Sequence, residues 1–126
     1  MRETLSITEE MVIQIHNRLI ADTGGEFGVR DEATLFFITD EINREADTFR
    51  KAAIALRLTE RHPFWDGQKR TAYLLAQMIL KNDGYDLSIE TDEIIGVLIK
   101  IAKYQCPEDE GINIISRWVK KKATRL

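Results

Sequence analysis

Cysteine is almost absent from this sequence, which has one cysteine, Cys106, in 126 residues. A single cysteine cannot form an internal disulfide, so the disulfide-stabilised secreted domains are excluded. The sequence also has no signal peptide and no long apolar run, which predicts a cytoplasmic protein without a membrane span. Because Cys106 precedes Pro107 and has no evident activating partner, we expect a helix-end residue and not a nucleophile.

An excess of basic charge is also missing. The net charge is −3 and the pI is near 5.4, so neither direct DNA binding nor binding to an anionic membrane is expected. Residues 1–50 carry 5 basic and 11 acidic residues, whereas residues 51–70 carry 5 basic and 2 acidic ones. Any phosphate-binding site should therefore be local and lie near residues 51–70.

Proline is scarce as well, and apolar residues recur about every 3.6 positions in each long segment, which predicts an all-α fold. The length suits one compact domain over residues 1–126. We expect a bundle of about six helices. The first should begin after Ser6, whose spacing to Glu9 suits a capping box. Further helices are predicted over residues 31–43, 48–61 and 67–83, then an extended piece over 86–89 and helices from Thr91 and from Asp109.

The helix that begins near Gly67 differs from the others. Its segment 72–80 is apolar on nearly every side, which is typical of a helix surrounded by other helices. We therefore expect a central buried helix. The loop in front of it combines a histidine, an acid, a glycine and two cations within residues 62–70.

Each part of this loop suits nucleotide chemistry. Free backbone N–H groups around Gly67, Gln68 and Lys69 would bind phosphate oxygens at the helix N-terminus. Lys69 and Arg70 add positive charge, which costs the helix about 0.3–1 kcal/mol each when exposed. A bound anion would remove that cost.

Two neighbouring side chains leave alternatives open. Asp66 can be a Mg²⁺ ligand or an ordinary N-cap. His62 can accept a proton from a hydroxyl near neutral pH, or it can be a structural histidine. We expect Phe64 to anchor the loop in the core, and Trp65 to be packed or partly exposed over the cleft.

The segment Arg61–Arg70, RHPFWDGQKR, resembles the Fic/Doc family signature H-x-F-x-(D/E/N)-(G/A)-N-(G/K)-R. The run Lys69–Ala72 looks like the Doc (death-on-curing toxin) branch. Weaker similarity extends the resemblance over roughly residues 7–90, in Ile7–Glu10, Ile15–His16, Gly24–Gly25 and Gly28–Asp31.

The resemblance implies an all-α fold with the motif at the N-terminus of a central helix. It also implies transfer from ATP or another nucleoside triphosphate, with Mg²⁺, to a protein hydroxyl. A Doc-like toxin transfers the γ-phosphate to a threonine of elongation factor Tu and is neutralised by a Phd-type antitoxin, whereas Fic enzymes usually transfer AMP. By this resemblance the general base is His62, the Mg²⁺ ligand is Asp66, the phosphate clamps are Lys69 and Arg70, and the glycine that keeps the turn open is Gly67.

The sequence departs from the family signature at Gln68, and from the pattern of the AMP-transferring branch at Lys69 and Tyr73. Gln68 stands where the family has asparagine, so its longer amide either reaches the same phosphate or misplaces it, and a catalytically silent interaction module is a further alternative. Lys69 and Tyr73 stand where the AMP-transferring branch has a second glycine and a further arginine, which favours phosphoryl transfer. We expect His16 to be a core-edge residue that is bonded to a neighbouring turn. The loop 24–30 either borders the active cleft or only connects two helices, and we favour the connector.

Overall fold

Helices make up most of the structure, and the predicted all-α fold is confirmed. The computed structural model describes residues 5–103 and 108–126, so Cys106 lies outside the described residues. In chain order the elements are α1 (Glu9–Thr23), α2 (Glu32–Arg44), α3 (Thr48–Leu56), α4 (Leu58–Arg61), α5 (Gln68–Asn82), β1 (Tyr85–Asp86), α6 (Thr91–Lys103), α7 (Glu108–Lys122) and β2 (Thr124–Arg125). Within these ranges six helices have 9 residues or more, and α4 is a single turn of 4 residues.

The first helix begins later than the predicted capping box at Ser6. The N-cap of α1 is Thr8, whose Oγ1 accepts a hydrogen bond of 3.1 Å from the backbone N–H of Met11. The cause is Ile7, which is buried and whose backbone N–H and C=O both bond to the side chain of Asn43, at 2.8 and 2.7 Å. These two bonds hold Ile7 outside the helix, so the prediction of Ser6 as the cap is wrong.

The single helix predicted over residues 48–61 is two helices, α3 and α4. The backbone N–H of Arg57 lies between the carbonyl oxygens of Ala53 and Ile54, at 3.3 and 3.1 Å. Such a shared hydrogen bond tightens the last turn of a helix and interrupts its regular bonding. The predicted end before Pro63 is confirmed, because the residue ahead of a proline is disfavoured in helical geometry.

Helix α5 is the central buried helix, as its apolar sequence predicts. It packs against α1, α3, α4 and α6, and its buried residues past the first turn are Thr71, Ala72, Leu75, Ala76, Ile79 and Leu80. Three fully buried alanines of α3, Ala52, Ala53 and Ala55, allow neighbouring helices to approach closely. Packing on several sides fixes the N-terminus of α5, whose first residues, Gln68 to Arg70, are the end of the motif.

A small antiparallel sheet follows α5. Tyr85 pairs with Arg125 and Asp86 with Thr124. The extended piece predicted over residues 86–89 is therefore confirmed only in part, since the strand is Tyr85–Asp86. None of the helices in the described ranges is both long enough and apolar enough to cross a membrane.

Candidate active site

The motif forms the short loop 62–67 between α4 and α5 and ends in the first turn of α5. His62 ends α4 with φ 50° and ψ 56°, a left-handed conformation that a non-glycine residue adopts only when its surroundings hold it there. Phe64 is 1% exposed and anchors the loop in the core, as predicted, whereas Trp65 is 53% exposed. The side chains of His62, Trp65 and Asp66 thus face solvent beside an anchored backbone.

The loop between α1 and α2 holds the motif in place. The backbone N–H of Arg30 donates to the carbonyl oxygen of Pro63 at 2.8 Å, and its Nε–H donates to the carbonyl oxygen of His62 at 2.9 Å. Val29 also forms an antiparallel β-bridge with Phe64. The favoured interpretation of this loop as a connector is therefore wrong, because it fixes the backbone on either side of Pro63. The alternative is confirmed, since Gly24 and Gly25 border the same cleft as His62 and Asp66.

Asp66 does not cap α5. The N-cap position is Gly67, and no side chain caps this helix. Instead the Oδ2 of Asp66 accepts a hydrogen bond of 2.8 Å from the backbone N–H of Glu26. The N-cap interpretation is wrong, and the exposed carboxylate keeps further lone pairs for another ligand.

This carboxylate fits a magnesium ion that is bound together with a nucleotide. Mg²⁺ usually binds through one or two protein carboxylates, with phosphate oxygens and waters completing the octahedron. Among the described residues, no group of three or more His, Cys, Asp or Glu could hold a metal by itself. A single exposed carboxylate beside a helix N-terminus suits a Mg²⁺ ion whose other ligands are phosphate oxygens and waters.

Gly67 allows α1 to pack against the start of α5. Its φ of 78° favours glycine, and a Cβ at this position would lie 3.2 Å from the Cδ1 of Ile20 and 3.4 Å from the Cδ2 of Leu19. The resemblance explains this glycine by phosphate approach. The structure adds a second reason, which is tight packing towards α1.

His16 also belongs to this region, where its sequence context predicts a core-edge residue bonded to a neighbouring turn. It is 1% exposed, its Nε2 lies 2.6 Å from the carbonyl oxygen of Asp66, and its ring stacks on Phe64 with centroids 3.9 Å apart. The predicted bond to a neighbouring turn is confirmed, whereas the predicted position at the core edge is wrong, because the side chain is fully buried. A signal was present in the sequence, because Val12, His16 and Ile20 recur every four residues along the buried face of α1.

The Gln68 side chain is buried and hydrogen-bonded to the backbone of the motif loop. It is 7% exposed, and its Oε1 accepts a hydrogen bond of 2.7 Å from the backbone N–H of Phe64. Asparagine is one methylene shorter, so the same bond would require the backbone to move. Gln68 therefore has a structural contact that the sequence does not predict, and a phosphate-binding role for it stays a prediction.

The first turn of α5 presents unpaired donors and positive charge. Intrahelical bonding begins with the N–H of Thr71 to the carbonyl oxygen of Gly67, at 3.0 Å, which leaves the earlier N–H groups of the helix without an intrahelical acceptor. Lys69 and Arg70 are exposed, and within residues 5–103 and 108–126 neither side chain has a hydrogen-bond or ion-pair partner. The helix dipole and the two cations together attract an anion.

These groups meet in one cleft of about 560 Å³. Its volume is in the range of small-molecule and cofactor sites, roughly 300–1,000 Å³. Ile20 of α1 and Gly25 of the loop after α1 line one part of the cleft. The cleft is also lined by all six site residues predicted from the sequence, which are His62, Asp66, Gly67, Gln68, Lys69 and Arg70. Proximity is thus a finding, while the role of each residue stays a prediction.

Comparison with protein-family models identifies the family of this chain. The model of the Fic/DOC family matches residues 6–80, which is more than half of the chain and includes the whole motif. The chain belongs to the Fic/DOC family. A search of curated proteins gave no significant match. Fic/DOC enzymes modify other proteins with a group taken from a nucleotide, so the cleft is the candidate active site of a protein-modifying transferase.

Proposed function

We propose that this Fic/DOC protein transfers the terminal phosphate of ATP, or of another nucleoside triphosphate, to a hydroxyl of a second protein. The observation that carries the proposal is one cleft lined by His62, Asp66, Lys69 and Arg70 at the uncapped start of α5. The helix N-terminus and the cations suit a triphosphate. The histidine beside them suits a general base.

The proposed step moves one phosphoryl group and one proton. The hydroxyl oxygen of the target forms a bond to the terminal phosphorus, and the bond from that phosphorus to the bridging oxygen breaks. The nucleoside diphosphate leaves with the electron pair, and the His62 imidazole accepts the hydroxyl proton. Lys69, Arg70 and the free N–H groups of α5 stabilise negative charge on the phosphate oxygens.

Asp66 is the residue that would hold Mg²⁺. When bound, the ion supplies neutralisation of phosphate charge. The protein's own contribution is orientation, because the Glu26 backbone N–H holds one oxygen of the Asp66 carboxylate at 2.8 Å. That contact leaves the rest of the carboxylate available on the cleft side of the loop.

Two positions favour phosphoryl transfer over AMP transfer. Lys69 puts a bulky cation where the AMP-transferring pattern has glycine, which should place the triphosphate with its terminal phosphate nearest His62. Tyr73 stands where that pattern has a further arginine. Its hydroxyl accepts from the N–H of Ile89 at 2.8 Å and also lies 3.1 and 2.9 Å from the carbonyl oxygens of Leu87 and Ile89, so the side chain is engaged in holding the segment after β1.

The resemblance to Doc supplies the proposed biological setting. The target hydroxyl would belong to a threonine or serine, with elongation factor Tu as the first protein to test, and a Phd-type antitoxin would be the neutralising partner. Trp65, exposed on the wall of the cleft, offers an apolar contact for the target. We therefore propose a Doc-like toxin.

Two labels test the proposal. The purified protein is incubated with Mg²⁺, a cell extract and ATP labelled on either the γ- or the α-phosphate, with His62→Ala protein as the control. Label on protein from the γ-phosphate alone supports phosphoryl transfer. Label from the α-phosphate supports AMP transfer, and transfer of neither label to elongation factor Tu or to the extract supports the silent interaction module.

A further inference from the structure

His16 contacts the motif loop from beneath without lining the cleft. It lies on α1, 50 positions before Asp66 in sequence, and is buried. The proposed transfer gives it no role, since no ligand in the cleft could touch it. Its hydrogen bond to Asp66 and its ring stacking on Phe64 nevertheless both reach the motif loop.

The imidazole holds the loop at two points. Its Nε2 lies 2.6 Å from the carbonyl oxygen of Asp66, and its ring stacks on Phe64 at 3.9 Å with an interplanar angle of 7°. These two contacts flank the exposed Trp65. The Cδ2 of His16 would also lie 3.6 Å from a Cβ at Gly67, so the ring supports the turn that follows.

The hydrogen bond to Asp66 has a defined direction. A carbonyl oxygen carries no proton, so Nε2 must be the donor and the ring must have its proton on that nitrogen. Nδ1 is buried and has no hydrogen-bond partner among the described residues. Burying an unpartnered nitrogen is unfavourable, and phenylalanine would fill the same space without it. The donated hydrogen bond is therefore the feature that distinguishes histidine from a space-filling ring here.

We infer that His16 is a positioning residue, whose Nε2–H fixes the Asp66 carbonyl and thereby sets the direction of the Asp66 carboxylate and of the first N–H groups of α5. The inference rests on the proposed function, because these are the groups proposed to bind Mg²⁺ and phosphate. Small displacements matter for such groups, since a misplacement of about 1 Å can cost roughly a hundredfold in rate.

Three substitutions separate the hydrogen bond from the stacking. His16→Gln places an amide N–H near the position of Nε2, whereas His16→Asn has the same chemistry but is too short to reach the Asp66 carbonyl. His16→Phe keeps the stacked ring and lacks the donor. Val12→Ala shortens a fully buried side chain on the same face of α1 that has no hydrogen-bonding group, so it controls for lost packing without loss of a donor.

The expected result is a difference between the two amides. His16→Asn and His16→Phe should lower kcat for γ-label transfer by roughly 10–100-fold, weaken Mg²⁺-dependent ATP binding, and speed amide hydrogen exchange in residues 64–70. His16→Gln should stay closer to the parent in all three measurements. Val12→Ala should lower Tm while keeping kcat per folded molecule and the exchange of residues 64–70.

Two outcomes overturn the inference. Parental kcat, ATP affinity and loop exchange in the Asn variant would show that the donor is not needed, even if His16→Phe does not fold. A folded His16→Phe protein with parental values would show the same. If the parent transfers no label, the proposed function fails, while ATP affinity and loop exchange in the same variants still decide the role of His16.

Discussion

The Nε–H of Arg30 donates a hydrogen bond of 2.9 Å to the carbonyl oxygen of His62, although 32 positions separate the two residues. The contact is to the backbone, so it leaves the His62 imidazole free on the cleft side. It also supports a left-handed backbone conformation that a histidine does not favour by itself. Arg30 therefore links the loop after α1 to the proposed general base.

Arg30→Met should reduce phosphate transfer without unfolding the protein. A single hydrogen bond contributes about 0.5–1.5 kcal/mol net, which corresponds to roughly tenfold or less in rate. The measurements are kcat for γ-label transfer and Tm. Arg44→Met is the matched control, because Arg44 pairs with Asp40 on the surface of α2 at 3.0 Å and does not line the cleft. Parental kcat in Arg30→Met would contradict the proposed link.

His62→Ala and His62→Gly should both abolish transfer, by roughly 10²–10⁴-fold, because both lack the imidazole. They should differ in stability. At φ 50° a glycine has no steric conflict, whereas alanine is unfavourable by about 1 kcal/mol. The Tm of each variant tests the expected difference in stability, and the rate of γ-label transfer tests the role of His62 as the base. Near-parental turnover in either folded variant would rule out His62 as the base.

Asp66→Asn should separate charge from hydrogen bonding. The amide oxygen of asparagine can still accept the Glu26 N–H, so Tm should stay near that of the parent, while Asp66→Ala also loses this contact. Both variants should bind ATP more weakly in the presence of Mg²⁺ and show little difference from the parent without it, because only the charged carboxylate suits the ion. Unchanged Mg²⁺ dependence in both would remove Asp66 as the metal ligand.

The N-cap of α2 should make stability depend on pH. A hydrogen bond from the backbone N–H of Thr34 to Asp31 lowers the pKa of this carboxyl below its ordinary value. Its contribution is therefore fully present above the unfolded pKa of about 3.9 and is lost as the pH falls through the lowered folded value. Asp31→Asn keeps a capping oxygen without a titrating group. The Tm of the parent minus that of Asp31→Asn should be larger at pH 6 than at pH 2.5; a constant difference would contradict the linkage.

The features that follow from local spacing could be predicted from the sequence. The all-α fold, the central α5 and the grouping of His62, Asp66, Lys69 and Arg70 before it depend on helical periodicity and on residues close together in the chain. The start of α1 could not be predicted, because it depends on Asn43, far away in sequence, which bonds the backbone of Ile7.

The partners of the residues that support the site could also not be predicted from the sequence. The Arg30 to His62 and His16 to Asp66 contacts join residues that are distant in the chain, and spacing carries no information on such pairs. Gln68 illustrates the same limit at short range. Its side chain could be read as a phosphate ligand, and only the fold shows its Oε1 bonded to the N–H of Phe64.

Lys69 should decide which phosphate lies nearest to His62. Its side chain is exposed in the first turn of α5 and lines the cleft, so it occupies space that a glycine would leave open to the triphosphate. Lys69→Gly should therefore increase transfer of α-label relative to γ-label, even if total activity falls because a phosphate clamp is lost. The measurement is the ratio of the two labels on one target protein.

Two further variants assign the cause of any change in that ratio. Lys69→Gln removes the charge and keeps most of the bulk, whereas Lys69→Arg keeps the charge. If bulk sets the register of the triphosphate, only the glycine variant should shift the ratio towards α-label; if charge sets it, glutamine should shift it as well, and arginine should not. These variants still have Tyr73 where the AMP-transferring pattern has a second phosphate-binding arginine, so the shift in the label ratio should be partial. An identical ratio in the parent and all three variants would mean that Lys69 does not select the phosphate, and a parent that transfers mainly α-label would overturn the preference for phosphoryl transfer.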